Sequence, residues 1–245
     1  MRWYKADLHI HSVLSPCGGL EMSPTAMIER CKELQIDWIA ITDHNSMANC
    51  PAYEKIACSS GIAFTWGVEI QTSEEIHLLV YFDDKDKAME FDKLLYDSLL
   101  PIKNDPEFFG DQVVIDENEN IINVVERALI NSRIWSIDEV MDIARSFSGY
   151  CVPAHIDAEA NSIIGQLGFI PNPDLFDALG ITAGLDVDGF LQKHKAIRRE
   201  QLIRCSDAHY LGDLGSGYTS FWIERPTMYE LKMAVNGEDN RKIRL

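Results

Sequence analysis

Short apolar or β-branched runs alternate along this chain with longer stretches of helical periodicity, and that rhythm confines the fold to α/β architectures. The runs are Trp3–Ile10, Trp38–Thr42, Phe64–Ile70, Ile76–Phe82, Tyr150–Ile156, Phe176–Ile181, Leu202–Ser206 and Ser220–Ile223. About seven or eight strands in such alternation predict parallel pairing and a closed barrel in preference to an open sheet. A first helix is predicted after Ser23, a cap, with Pro24 in its first turn; others are predicted over Ala52–Ser59, Lys85–Leu100, Val124–Asn131, Ile137–Phe147 and Thr227–Asn236. The rhythm breaks between Pro101 and Ile122, where Val113–Ile115 and Ile121–Ile122 flank an acidic stretch and read as a small hairpin. The expected organisation of the 245 residues is a single domain, 1–245, with an insertion at about 101–122.

An apolar fraction of 46% with 25% charged residues is that of a chain with a packed core. The net charge of −17 repels a polynucleotide backbone, so long nucleic acid is disfavoured as a partner and a small phosphorylated substrate is favoured. No apolar run approaches the ~18 residues of a membrane span, and a cytoplasmic location is the expectation. The six cysteines form no C-x-x-C pair and are expected as thiols.

Placement of the seven histidines carries the functional signal. His9 and His11 end the first strand, His44 follows the second in Thr-Asp-His, and Glu69 ends the third. His155 ends a later strand, and Asp207 and His209 end the one before the Gly-rich loop 212–217, which reads as flexible. In a parallel barrel those positions share one face. His77 begins the fourth strand and joins them only if that strand runs counter to its neighbours or starts later. Residues i and i+2 of a strand point to one side, so His9 with His11, and Asp207 with His209, can present paired donors to a cation. Imidazoles and carboxylates suit zinc, manganese or iron, and a Glu can bridge two ions. Two ions about 3.5–4 Å apart can share a hydroxide and clamp a phosphoryl group. Asp7 and Asp43 lie beside these histidines and are expected to orient their rings. His194, between Lys193 and Lys195, reads as a surface residue.

Asp-Leu-His-Ile-His at 7–11, Thr-Asp-His at 42–44, Glu69, His77, His155 and Ser-Asp-Ala-His at 206–209 together resemble the ordered motifs of the polymerase and histidinol phosphatase (PHP) superfamily. The resemblance implies a distorted (β/α)7 TIM-like barrel and a centre of two or three divalent metal ions acting on phosphoesters. By position it implies that His9, His11, Glu69 and Asp207 hold one metal, Glu69, His77 and His155 a second, and His44 and His209 a third. One position departs from the pattern. Where relatives offer a His or Asp to the third metal, this chain has Cys17, whose thiolate favours a softer ion if it ligates at all.

The expected activity is metal-dependent hydrolysis of a small phosphomonoester or nucleotide by a metal-bridging hydroxide, with Asp43 or His209 as candidate proton donors. Arg133, Arg204, Lys5 and Lys103 are candidate phosphate-binding cations, and residues 157–169 and 103–122 are candidates to border the pocket. The competing readings are an amidohydrolase-type hydrolase, a nuclease or exonuclease on oligonucleotides, and a non-catalytic metal-binding domain.

Overall fold

The computed structural model describes residues 1–245. Its first three strands, β1 (Arg2–Ile10), β2 (Trp38–Ile41) and β3 (Ala63–Gln71), pair in parallel and are joined through α1 (Pro24–Glu33) and α2 (Cys50–Ser59). β4 (His77–Phe82) then runs antiparallel to β3. Its connection is a tight turn closed by Thr72 N–H on Ile76 O at 2.9 Å, with Glu75 at φ +61°. A parallel crossover needs a dozen or more residues, so this turn forces the reversal. The expectation of uniformly parallel strands fails here, and the condition set for His77 is met.

Residues between β4 and the next strand of the main sheet form α3 (Lys85–Asp97), the short α4 (Pro106–Phe109), the hairpin β5 (Val113–Ile115) with β6 (Ile121–Val124), and α5 (Ile137–Ser146). The helix expected over Val124–Asn131 is absent. Val124 ends β6, and the following backbone bonds to side chains instead of to itself: Gln112 serves Val125 O, Arg127 O and Leu129 N–H, while Asn45 donates to Leu129 O and Asn131 O. After these come β7 (Tyr150–Pro153), α6 (Ile163–Leu167), β8 (Leu179–Ile181), α7 (Val187–Lys193), β9 (Leu202–Arg204), β10 (Thr219–Ile223), α8 (Met228–Asn236) and β11 (Lys242–Arg244).

The main sheet has seven strands in the order β11-β10-β1-β2-β3-β4-β7 and curls into a half-barrel; β8 and β9 form a separate parallel pair. The ring is completed at one end. Ile156 N–H reaches Gly180 O at 2.8 Å beyond β7, and His11 N–H reaches Ala208 O at 2.9 Å beyond β9. These links join β1, β2, β3, β4, β7, β8 and β9 into the distorted seven-stranded barrel that the family resemblance implies, with β10 antiparallel on the opposite half of β1.

Apolar side chains divide by strand face. Ala6, Leu8, Trp38, Ala40, Leu79, Tyr81, Val152 and Ile203 fill the barrel, with Phe221 and Met228 below them. Ile10, Ile39, Ile41, Val68, Val80 and Cys151 face outward onto Met27, Ile28, Tyr53, Phe91 and Val140 from the helices. Each large side chain so enclosed contributes about 1.5–3 kcal/mol. Strict alternation along β1 would put His9 on the helix side with Ile10's parity reversed. The register prevents it: Asp7 pairs with Ile39 and Ile10 with Ile41, so Leu8 and His9 together oppose the one residue between, a bulge that turns His9 inward.

Candidate metal centre

Glu69, at the end of β3 and 1% exposed, is the hub of the site. Its Oε1 lies 3.2 Å from His9 Nε2, 3.0 Å from His77 Nδ1 and 3.4 Å from His155 Nε2. Its Oε2 lies 3.3 Å from His11 Nε2 and 3.1 Å from His44 Nδ1. Asp207 Oδ1 stands 3.2 Å from both His9 Nε2 and His11 Nε2. The His209 ring stacks on His11 with centroids 4.0 Å apart. The antiparallel turn of β4 brings His77 opposite the end of β3, where its pairing partner is Gln71.

Despite these approaches, Glu69 Oε1, His77 Nδ1 and Asp207 Oδ1 are buried without a hydrogen-bond partner. Donor atoms that crowd together without pairing converge on points between them, which is how ligands surround cations. Three groups have donor atoms within 4.8 Å of one another: His9, His11 and Glu69; His44, Glu69 and His77; and His11, His44 and His209. Cys17 adjoins His209 and His44 but belongs to none of the three.

Electrostatics agree with that arrangement. Burial favours the neutral form of Glu69, yet the surrounding His77, His9 and His11 hold its carboxyl well below the usual range. Asp207 is likewise depressed, as His9 and His11 outweigh its partial burial. Burial opposes the charged His44, but hydrogen bonds to Cys17 and Glu69 prevail and raise it to about 9. Burial also raises the Cys17 thiol, and hydrogen bonds with His209 and His44 more than reverse this, bringing it down to about 6. Protons on His11, His44 and His155, all raised, thus balance the carboxylates, whereas burial lowers His77; divalent cations compete for the same lone pairs.

Neither Asp7 nor Asp43 touches a histidine ring, contrary to expectation. Asp7 accepts from Ser206 N–H at 3.0 Å and ties β1 to the segment after β9. Asp43 is fully buried and accepts from Ser12 N–H at 2.7 Å, Ser12 Oγ at 2.5 Å and Ser15 Oγ at 2.7 Å. Ser15 Oγ in turn stands 2.8 Å from His11 Nδ1. Ser12 and Ser15 were missed in the sequence because serines in a loop carry no spacing signal. His209 Nδ1 donates to Asp207 O at 2.9 Å, which leaves Nε2 as the ring nitrogen that can meet Cys17 or a cation. Backbone strain gathers nearby: Asn45 (φ +54°), His155 (+30°), Asn161 (+54°) and Asp207 (+53°) are all left-handed non-glycine residues, a conformation that costs on the order of 1–3 kcal/mol each.

A cavity of about 280 Å³ opens over the cluster, lined by His44, Glu69, His77, His155, Asp207 and His209 with Ala158, Ala160, Asn161 and Thr182. A second, of about 320 Å³, shares His155, Thr182 and Asp207 with it and continues along Gly180–Gly184 to Leu79, Cys205 and Ser206. Residues 157–169 thus contribute to the wall, whereas none of 103–122 lines either cavity. Neither cavity is lined by Lys or Arg. Arg133 donates to Asn45 and Leu95 O, Arg204 to Leu185 O, and Lys5 to Leu34 O; Lys103 lies exposed. His194 stacks on Phe190, away from the cluster. No helix is long and apolar enough to cross a membrane.

A curled α/β barrel that gathers imidazoles around a buried carboxylate at its strand ends has the donor set of a centre for divalent metal ions. The chain belongs to the PHP domain family, whose model matches residues 7–157. It is 37% identical over 78 residues to the 5'-3' exoribonuclease Rnm of Salmonella typhimurium, covering 30% of this chain and 26% of that protein. It is 29% identical over 105 residues to the uncharacterized protein YqxK of Bacillus subtilis, covering 40% of this chain and 27% of that one. The chain therefore spans about a quarter of the length of these curated relatives. Its fold resembles that of the lesion-specific endonuclease PfuEndoQ from Pyrococcus furiosus, with a TM-score of 0.69 at 19% identity over 99% of this chain and 58% of that one.

Proposed function

We propose that this chain is a metal-dependent phosphoric ester hydrolase acting on a small phosphomonoester or a nucleotide. The observation that carries the reading is the set of buried, unpaired donor atoms converging around Glu69 under a cavity that has no cationic side chain. His9, His11, Glu69 and Asp207 would hold one ion, Glu69, His77 and His155 a second, and His44 and His209, with Cys17 beside them, a third; zinc, manganese and iron suit these donors. Divalent ions bound there supply Lewis acidity toward phosphoryl oxygens and lower the pKa of water.

The chain's own groups orient and exclude. With its Nδ1 proton committed to Asp207 O, His209 presents Nε2, where the neutral ring can bind a cation and the doubly protonated ring can pass a proton to a leaving oxygen. Asp43 has no face on either cavity, so its contribution is to position Ser15 and through it His11. The 320 Å³ cavity offers the leaving group backbone from Gly180–Gly184 and an apolar floor at Leu79. The chain is read as one PHP-like domain, 1–245, with 101–122 as an insertion, supported by the hairpin's place outside the main sheet. Six free thiols fit a cytoplasmic setting.

The test is a screen of sugar, nucleotide and amino-alcohol phosphates with protein purified anaerobically and analysed for metal. Turnover of amides or lactones with none of any phosphoester would overturn the reading in favour of an amidohydrolase. A nucleic-acid strand is the second reading, favoured by the similarity to an exoribonuclease and opposed by the net charge of −17. Release of mononucleotides from oligonucleotides in preference to hydrolysis of free phosphomonoesters would select it.

A further inference from the structure

We infer that the β5–β6 hairpin is a brace for the metal donors His11 and His44, joined to them through a buried hydrogen-bond chain in which Asn49, Ser12, Asp43 and Ser15 are positioning residues. The inference rests on the reading that these histidines hold cations.

The chain begins at the hairpin. Ile115 N–H donates to Asn49 Oδ1 at 3.0 Å, and Asn49 Nδ2 donates to Val113 O at 3.2 Å and to Ser12 Oγ at 3.0 Å. Ser12 Oγ donates its own hydrogen bond to Asp43 Oδ2 at 2.5 Å. Ser15 Oγ donates to Asp43 Oδ1 at 2.7 Å and lies 2.8 Å from His11 Nδ1. Asn49, Ser12, Asp43, Ser15 and His11 are all fully enclosed, so water cannot replace a lost partner.

The direction of each bond is determined. A carboxylate only accepts, so Asp43 claims the single proton of each serine hydroxyl. Ser15 Oγ is then left to accept, and it takes the proton of His11 Nδ1, so Nε2, which faces Glu69 and Asp207, is the nitrogen whose lone pair a cation would take. The same oxygen accepts His44 N–H at 3.2 Å, fixing the backbone of the second donor. On the far side of His44, Asn45 donates to Leu129 O and Asn131 O in the irregular segment that follows the hairpin. The hairpin on one side and the segment after it on the other therefore grip the His44 segment, while neither contributes to the cavity lining.

The experiment compares Asn49→Leu, Ser15→Ala and Ser15→Thr in the full chain, reading cobalt affinity by competition with a chromophoric chelator and the visible spectrum of the cobalt-loaded protein. Asn49→Leu and Ser15→Ala are expected each to weaken at least one cobalt ion by about ten-fold or more and to change the spectrum, with Ser15→Thr restoring both. A lower melting temperature in Asn49→Leu with unchanged cobalt affinity and spectrum makes its role structural and overturns the inference, as does an effect confined to Ser15→Ala. If Asn49→Leu does not fold, Asn49→Ser decides by the same criteria. A wild-type chain that binds cobalt but hydrolyses no phosphoester would refute the proposed activity and leave the brace intact.

Discussion

Glu69 Oε1 and His77 Nδ1 stand 3.0 Å apart in the interior, and neither atom makes a hydrogen bond. An amide at position 69 would keep the shape while removing the negative charge shared by the surrounding imidazoles. Glu69→Gln is therefore expected to lose at least one bound ion per chain and to lower turnover by about a hundred-fold or more, read by elemental analysis and steady-state kinetics. Unchanged turnover would mean that the Glu69 cluster does not catalyse the measured reaction.

Burial pushes the Asp7 carboxyl up to about 7, and its Oδ2 has no partner. Between pH 3.8, its ordinary value, and about 7, the folded chain keeps this proton after the unfolded chain has released it. The unfolded state then binds fewer protons, so stability falls as pH rises through that window. In chelator-treated protein, Asp7→Asn should gain on the wild type from pH 4 to pH 8, on the order of 3–4 kcal/mol at most. A difference in melting temperature that does not vary with pH would contradict this.

Cys17, lowered to about 6 by its hydrogen bonds with His209 and His44 against the effect of burial, is ready to ligate as a thiolate. Cobalt-loaded protein is expected to show a sulfur-to-metal charge-transfer band that disappears in Cys17→Ser. No band in the wild type would mean that Cys17 is a loop thiol beside the third group.

Arg133 is 3% exposed and donates to Asn45, Leu95 O and Ser98 Oγ, so it supports the fold instead of greeting phosphate. Arg133→Met should cost about 2–4 kcal/mol and lower the melting temperature by roughly 5–15 °C, leaving KM for a phosphoester substrate unchanged. A selective rise in KM without loss of stability would return Arg133 to the list of substrate-binding groups.

Much of the donor cluster was legible because its residues sit at strand ends, where periodicity and motif spacing coincide. The histidines and acids at 9, 11, 44, 69, 77, 155, 207 and 209 are those the fold draws together. What the sequence hid was direction. Counting alternate residues cannot reveal the bulge that makes Leu8 and His9 share one partner, and apolar content alone does not distinguish the antiparallel β4 from a parallel strand. The helix expected over Val124–Asn131 failed because Gln112 and Asn45, distant in sequence, take up its backbone groups. Asp43 stood beside His44 in sequence but bonds toward Ser15 and His11, a pairing that only the folded chain displays.

The turn between β3 and β4 also sets an order of events. It brings Glu69 and His77 together within one hairpin, whereas Asp207 reaches His9 only across nearly the whole chain. Closing the longer loop carries the greater entropic cost, so local contacts form ahead of it. During synthesis, five of the clustered imidazoles and the hub carboxylate emerge long before Asp207. An ion held by His9, His11, Glu69 and Asp207 would thus wait on completion of the ring, and its uptake by a refolding chain would be a clock for the final docking step.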